Sequence, residues 1–291
     1  MNTSNDTDLV NQVTVILVTY HSAHCLDALD ALLAHCPHVV ISDNGSGDDT
    51  PALARARWPQ ATVLEHGRNL GFGAANNRAI AATRTPLALL VNPDCEVTPE
   101  GLRELVRVAN DMPEAAIVAP QLEGAPGKPD VNYRWPSTAW KSRGPGADGP
   151  ACVGFVVGAA MLFRLSRFEG VGFFDERFFL YYEDDDLCLR LFQNHRPIVV
   201  WPGVAAVHRA RGSVKGKTPW KSEYLRGYHH AQSKLIYTAK HRSHAQARSQ
   251  RWSVLLGTTV ALPLRAIAWS PRLLARMAGR WMGLVRWRLR D

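Results

Sequence analysis

The sequence lacks paired cysteines. Its five, Cys25, Cys36, Cys95, Cys152 and Cys188, are scattered and odd in number, and no two form a CxxC pair. That excludes a disulfide framework and a structural zinc site as organising features and makes a reducing cytoplasm the expected compartment. The first residues lack the basic start and apolar centre of a secretory signal, so the expectation is that nothing there directs the chain outward. Neither an internal repeat nor a nucleic-acid-binding motif is visible, and no nucleic-acid partner is expected. The apolar run 252–269 contains Pro263 and Arg265 and falls a little short of the ~20 residues that a membrane span needs, so an interfacial or re-entrant helix is expected there rather than a crossing. Carboxylates are nearly missing from one end: from residue 240 onward eleven basic residues face a single acid, Asp291. The net charge of +8 therefore sits in that tail, and the body is close to neutral.

What is present reads as an α/β protein. A chain of 291 residues is long enough for one large domain or two modest ones. Residues 13–18 are a continuous, β-branched apolar run, as expected of a strand buried on both faces of a parallel sheet. A helix is expected over 23–33, a strand at 39–41, and then the turn-rich 42–49 leading into a helix that Pro51 can open. Further strands are expected at 62–64 and 87–91, with a helix over 73–82 between them. The alternation βαβαβαβ predicts a mostly parallel sheet with helices on both faces, and such sheets bind ligands beyond the carboxyl ends of their strands. The polar groups to inspect there are Thr19, Tyr20, Asp43 and the loop Asn92-Pro93-Asp94. Beyond a helix over 98–110 and a strand near Ile117, residues 124–150 are rich in Gly, Pro and Ser. They read as a surface loop, either covering a substrate or simply inserted. Strand character returns at 153–163 and 198–201, and a helix ends near Asn194.

Three constellations carry chemistry. Asp94 follows a buried strand, which fixes its carboxylate at the sheet edge, where a hard divalent cation would take it as a ligand; an Asn-Pro-Asp turn alone is also ordinary. Glu183, Asp184, Asp185 and Asp186 are four consecutive carboxylates after an aromatic run. They suit a general base, or the N-terminus of a helix, or both. His208, with Arg209, Arg211 and Ser213 after it, suits phosphate binding, although a lone histidine at a strand end is as readily structural.

In order, the segments 15–20, Asp43-Asn44-Gly45-Ser46, 69–77, Asn92-Pro93-Asp94, 158–161, Phe174-Asp175-Glu176, Glu183-Asp184 and His208 resemble the inverting glycosyltransferases of family 2 type with the GT-A fold. Among these the resemblance is nearest to the bacterial rhamnosyltransferase-like branch, and it spans about 13–213. The resemblance implies that Thr19, Tyr20 and Asp43 surround a pyrimidine, that Asn69, Gly71 and Asn77 line the nucleotide pocket, and that Asp94 binds Mg or Mn on the diphosphate. Asn92 stands where the family pattern has a carboxylate, leaving one anionic ligand in the loop, with His208 implied to share the metal or diphosphate. Asp184 aligns with the catalytic base, Glu183 is placed to orient it, and Asp185 is the alternative base.

The tail completes the expected organisation: a polar 1–12, a GT-A domain over 13–235 with a nucleotide half (13–120) and an acceptor half (121–235), and basic amphipathic helices over 236–291. At about 100° per residue, Leu273, Leu274, Met277, Trp281, Leu284 and Val285 share one face of a helix over 271–290. Most arginines fall opposite, a pattern of interfacial membrane helices and also of helices packed on a protein body. The function expected is transfer of a sugar, L-rhamnose from dTDP-rhamnose foremost, onto a lipid-linked oligosaccharide or polyprenyl-diphosphate acceptor. The expected place is the cytoplasmic face of the bacterial inner membrane, in cell-surface polysaccharide synthesis. The rivals are a UDP-hexose donor on the same fold, or a membrane-bound scaffold without turnover.

Overall fold

The computed structural model describes residues 8–131, 133–134, 146–209, 219–267 and 270–288. They fall into two compact units. The first comprises Met1–Leu70, Ala74–Phe174 and Leu187–Lys215; the second comprises Gly71–Gly73, Asp175–Asp186 and Gly216–Asp291.

The first unit is built on one sheet. Strands β1 (Val13–Thr19), β2 (Val39–Asp43), β3 (Thr62–Glu65) and β4 (Leu87–Val91) lie in the order β3-β2-β1-β4, all parallel. β1, β2 and β4 are buried along almost their whole length, which is why their sequences are unbroken apolar runs rather than alternating ones. β9 (Ala160–Arg164) joins antiparallel to β4, followed by β6 (Ile117–Ala125) and β10 (Ile198–His208), which pair in parallel. β5 (Cys95–Glu96) closes the path antiparallel to β10, while β7 (Lys128–Pro129) and β8 (Ala151–Val153) pair at the side. Helices α1 (Asp30–Leu33), α2 (Thr50–Arg57), α3 (Phe72–Ala81), α4 (Pro99–Asp111) and α5 (Glu183–Gln193) connect the strands. The α4 start follows the expected chemistry: Thr98 caps it by accepting from Gly101 N at 3.0 Å, and Pro99 occupies the first turn.

Three elements differ from expectation for local reasons. The helix expected over 23–33 is a 3-10 stretch, Ala23–Leu29, running into α1. Ser22 makes no capping bond to it, because its Oγ accepts from Tyr20 N at 3.1 Å in the turn after β1. The apolar stretch 153–163 is two strands, β8 and β9. Asn92 N donates to Ala159 O at 2.8 Å, so β9 begins where it can extend the end of β4. β10 runs on past Pro202-Gly203, which looked like a strand end, because the ladder with β6 absorbs them in a bulge between Trp201 and Ala205.

The second unit is helical: α6 (Pro219–His241), α7 (His244–Ile267) and α8 (Pro271–Arg286), with a small core of Ala231, Leu235, Ala247, Leu284 and Trp287. Glycines set the α6–α8 spacing. A Cβ on Gly283 would lie 2.6 Å from Tyr228 O, and one on Gly279 or Gly227 would overlap the facing backbone carbonyl of Tyr224 or Arg276. Leu284 is buried by this approach, Leu274, Met277 and Trp281 are half-buried, and Arg276 pairs with Glu223 at 2.8 Å. Of the apolar face that suits either a membrane interface or packing on protein, Leu273 and Val285 stay well exposed. Among the described residues, no helix is long and apolar enough to cross a membrane.

Candidate active site

The carboxyl ends of β1 and β2 meet in register at Thr19 and Asp43, both buried. Thr19 Oγ1 donates to Asp43 Oδ1 at 2.9 Å, Ser46 Oγ donates to the same oxygen at 2.5 Å, and Ser46 N donates to Oδ2 at 2.8 Å. The Asp43 carboxylate is thus held rigidly by the turn that it starts. Ser46 Oγ also accepts from His21 N at 2.9 Å, tying the β1 loop to the same turn, and the Tyr20 ring meets the His21 ring edge-on at 4.5 Å.

Asn44 and Ser46 are the residues here that the sequence reading left without a role. Asn44 is buried; its Nδ2 donates to Asn69 Oδ1 at 3.0 Å and its Oδ1 accepts from Leu70 N at 2.7 Å. Gly45, at φ 78°, leaves no room for a side chain, since a Cβ would lie 2.7 Å from the Arg68 backbone. The only advance signal was the turn pattern Asp43-Asn44-Gly45-Ser46. Asn77 has a clear structural commitment: its amide donates to Phe174 O at 2.8 Å and accepts from Phe174 N at 3.1 Å. Gly71 is likewise required by backbone proximity, at φ 93° with Phe179 O 2.5 Å from where a Cβ would stand.

At the end of β4, Asn92-Pro93-Asp94 forms a turn in which Cys95 N donates to Asn92 O at 2.9 Å. The short β5 then pairs with β10, setting Cys95 opposite His208. This pairing brings Asp94 Oδ1 to 3.7 Å from His208 Nε2, with the Asp94 carboxylate almost fully buried and the imidazole mostly so. Arg209 N donates to Asp94 O at 2.9 Å, and its guanidinium pairs with Glu96. The Asp94 carboxylate is the hard oxygen ligand that Mg or Mn takes, and the imidazole nitrogen beside it is a softer donor that suits Mn better than Mg. No cluster of three or more such side chains occurs among the described residues. Arg211 lies outside the described residues.

In the second unit, the four carboxylates fall into three environments. Tyr181 and Tyr182 both sit at positive φ, 70° and 66°, immediately before α5, a conformation costing about 1–3 kcal/mol per residue. Asp186, fully buried, is clamped by Lys240 Nζ at 2.6 Å and His241 Nε2 at 2.7 Å, and Lys240 also holds Asp175 at 2.7 Å. Burial alone would raise the Asp175 carboxyl, but hydrogen bonds from Arg177 and Lys240 together outweigh it and hold it well below the usual carboxylate range. Glu183 is buried, and its Oε2 has no hydrogen-bond partner among the described residues. Burial first, and then the neighbouring Asp184, push its carboxyl well above the ordinary value. Asp184 and Asp185 are partly exposed, and Asp184 Oδ1 accepts from Asp185 N at 2.9 Å. Of the four, these two are the ones that solvent reaches.

A parallel α/β core with an antiparallel strand inserted after β4, and with an Asp-bearing turn at the β4 end, defines the GT-A class of glycosyltransferases. Residues 14–168 match the family described as glycosyl transferase family 2, and the chain belongs to that family. It is an enzyme of the nucleotide-sugar-dependent transferase class. It is 28% identical over 283 aligned residues, 84% of this chain and 90% of the relative, to an N-acetylglucosaminyl-diphospho-decaprenol L-rhamnosyltransferase of Mycobacterium tuberculosis. It is 26% identical over 214 residues, 69% of this chain and 68% of the relative, to the low-salt glycan biosynthesis hexosyltransferase Agl10 of Haloferax volcanii. Among solved structures, a Pyrobaculum calidifontis mannosyltransferase in complex with GDP-Man and Mn2+ superposes with TM-score 0.57 at 16% identity, covering 94% of this chain and 86% of that one. S. aureus TarS 1-349 in complex with UDP-GlcNAc gives 0.53 at 17%, covering 75% and 66%.

Proposed function

We propose that this enzyme transfers L-rhamnose from dTDP-rhamnose, with inversion, to a lipid-linked glycan acceptor. The observation that carries the reading is the buried pairing of Asp94 with His208 at the carboxyl edge of the sheet that also holds Asp43. The M. tuberculosis relative, an L-rhamnosyltransferase named for a decaprenol-linked acceptor, supports the choice of sugar and acceptor class.

In this reading, Asp43 accepts the N3 proton of the thymine, its carboxylate held for that purpose by Thr19 and Ser46. Tyr20, Asn69, Gly71, Asn77 and Asn92 shape the nucleotide site, and Arg211 contributes charge toward the diphosphate. Asp94 and His208 hold Mg or Mn, which when bound offsets the charge of the departing diphosphate. The acceptor hydroxyl gives its proton to Asp184 as its oxygen bonds to the anomeric carbon, and the bond to the diphosphate oxygen breaks on the opposite face. Asp185 is the alternative base. Glu183, which burial biases to the protonated form, supports Asp184 without competing for that proton. The enzyme acts as a peripheral protein on the cytoplasmic face of the bacterial inner membrane.

The test is release of nucleoside diphosphate by the purified full chain from dTDP-rhamnose and from UDP-hexoses, with Mg or Mn and a polyprenyl-diphosphate sugar. The expected result is acceptor-dependent release from dTDP-rhamnose. Preference for a UDP-hexose would replace the donor assignment, and binding without release from any donor would make the chain a scaffold.

A further inference from the structure

Among the described residues, the large exposed apolar side chains gather on the three helices of the second unit. Nine large apolar side chains are well exposed among the described residues, and all but Phe192 belong to α6, α7 or α8. They are concentrated on α7, where Trp252, Leu256, Val260 and Leu264 are 63%, 69%, 61% and 64% exposed. Their four-residue spacing sets them on one arc of about 120° at 100° per residue. The opposite side of α7 is the one that packs: Ala247 is buried, Val254 and Leu255 join the small core, and Trp281 Nε1 donates to Thr259 Oγ1 at 2.9 Å along its edge. α7 is therefore apolar on two sides and has a protein partner on one. A scattered exposed leucine is ordinary, but four in line along three turns are not.

Charge identifies the missing partner. Residues 252–264 contain no ionisable side chain, and the sequence holds no carboxylate at all between Glu223 and Asp291. Arginines bracket the stripe, with Arg248 and Arg251 before it and Arg265 and Arg272 after it. Arg251 is turned inward to the Leu284 and Val285 carbonyls, while Arg248, Arg265 and Arg272 are exposed. Packing this face on a second copy of itself would set arginines against arginines with no acid to separate them. An apolar strip with cationic ends matches a bilayer surface, where acyl chains take Trp252 and the leucines and anionic headgroups take the arginines.

We propose that the outward face of α7, centred on Leu256 and Val260, is the surface by which this enzyme sits on an anionic membrane. The proposal rests on the reading that the acceptor is lipid-linked, and among the tail helices expected to meet the membrane it assigns the contact to α7.

Flotation of the full chain with phosphatidylglycerol-containing vesicles tests it. Wild type is expected to float with these vesicles, and less well with pure phosphatidylcholine or at high salt. The double variant Leu256→Glu with Val260→Glu should lose about tenfold or more of its bound fraction, as expected when an interfacial helix loses its apolar face. Phe192→Glu, off these helices, should float like wild type, and thermal melts of both variants should match wild type. A blue shift of tryptophan emission on vesicles that is absent in Trp252→Phe gives a readout independent of the glutamates. Equal flotation of the double variant and wild type, or no flotation of wild type, overturns the proposal. So does a lipid-independent wild-type dimer that the double variant converts to monomer, which would assign the face to a second copy. Turnover separates the two readings. The double variant should still act on a short-chain, water-soluble acceptor and fail on a long-chain acceptor in vesicles. Wild type that floats through α7 but transfers to neither acceptor leaves the surface standing and sinks the rhamnosyltransferase assignment.

Discussion

The four consecutive carboxylates at the start of α5 are alike in sequence and unlike in the folded chain. Asp186 is consumed by Lys240 and His241, Glu183 is desolvated, and Asp184 and Asp185 keep partial exposure. Asp184→Asn is expected to lower kcat by about 10²–10⁴-fold with donor affinity unchanged, as loss of a general base does. Robust turnover by that variant, read against Asp185→Asn, would shift the role to Asp185. Glu183 makes a separate prediction through stability. Its folded carboxyl titrates above the ordinary 4.5, so across that window the native state keeps a proton that the unfolded chain releases, and stability falls as pH rises. Glu183→Gln should match wild type in acid and melt higher than wild type at mildly alkaline pH. A pH-independent difference in melting temperature would contradict it. Asp94→Ala and His208→Ala should each raise the Mg or Mn concentration needed for half-maximal turnover by about 10-fold or more, and an unchanged metal titration would remove them from that role.

At the scale of elements, strands buried on both faces were readable from sequence because continuous apolar runs such as 87–91 have few other uses. What depended on distant pairing was not legible from local pattern. Asp94 and His208 meet because two residues of β5 join β10, more than a hundred residues away in the chain, and only the family resemblance implied that they act together. The β10 bulge hid strand behind Pro202-Gly203, and Asn77 belongs to the Phe174 backbone through a contact that spacing cannot suggest. In the tail, amphipathicity was legible on α8, but its destination was not, since the close approach permitted by Gly227, Gly279 and Gly283 decides it. These glycines give a paired prediction for thermal or urea unfolding. Gly279→Ala places a methyl against the Tyr224 carbonyl and should cost about 1–3 kcal/mol. Gly257→Ala on α7 meets nothing within 4 Å and should stabilise by up to about 1 kcal/mol. Equal effects would mean that the helices are not in this close contact.

For the whole molecule, charge and titration follow the two units. The second unit carries a histidine, His230, that burial, with Arg280, Lys234 and Arg276 nearby, holds down from 6.5 to about 4. A depressed histidine adds stability that is fully present above 6.5 and is lost as pH falls toward 4. Melting of the full chain should decline across that range, and His230→Gln should flatten the decline; parallel curves would contradict this. The proposed ligands Asp43, Asp94 and His208 belong to the sheet unit, and the acidic run and the proposed membrane face belong to the helical unit. The most direct test of the central claim is the anomeric configuration of the product, read by NMR after incubating the purified full chain with dTDP-rhamnose, Mg or Mn and a polyprenyl-diphosphate sugar. The account predicts a rhamnosyl linkage of configuration opposite to the donor, formed one for one with released dTDP. A linkage that retains the donor configuration, or no rhamnosyl product despite bound donor, would contradict it.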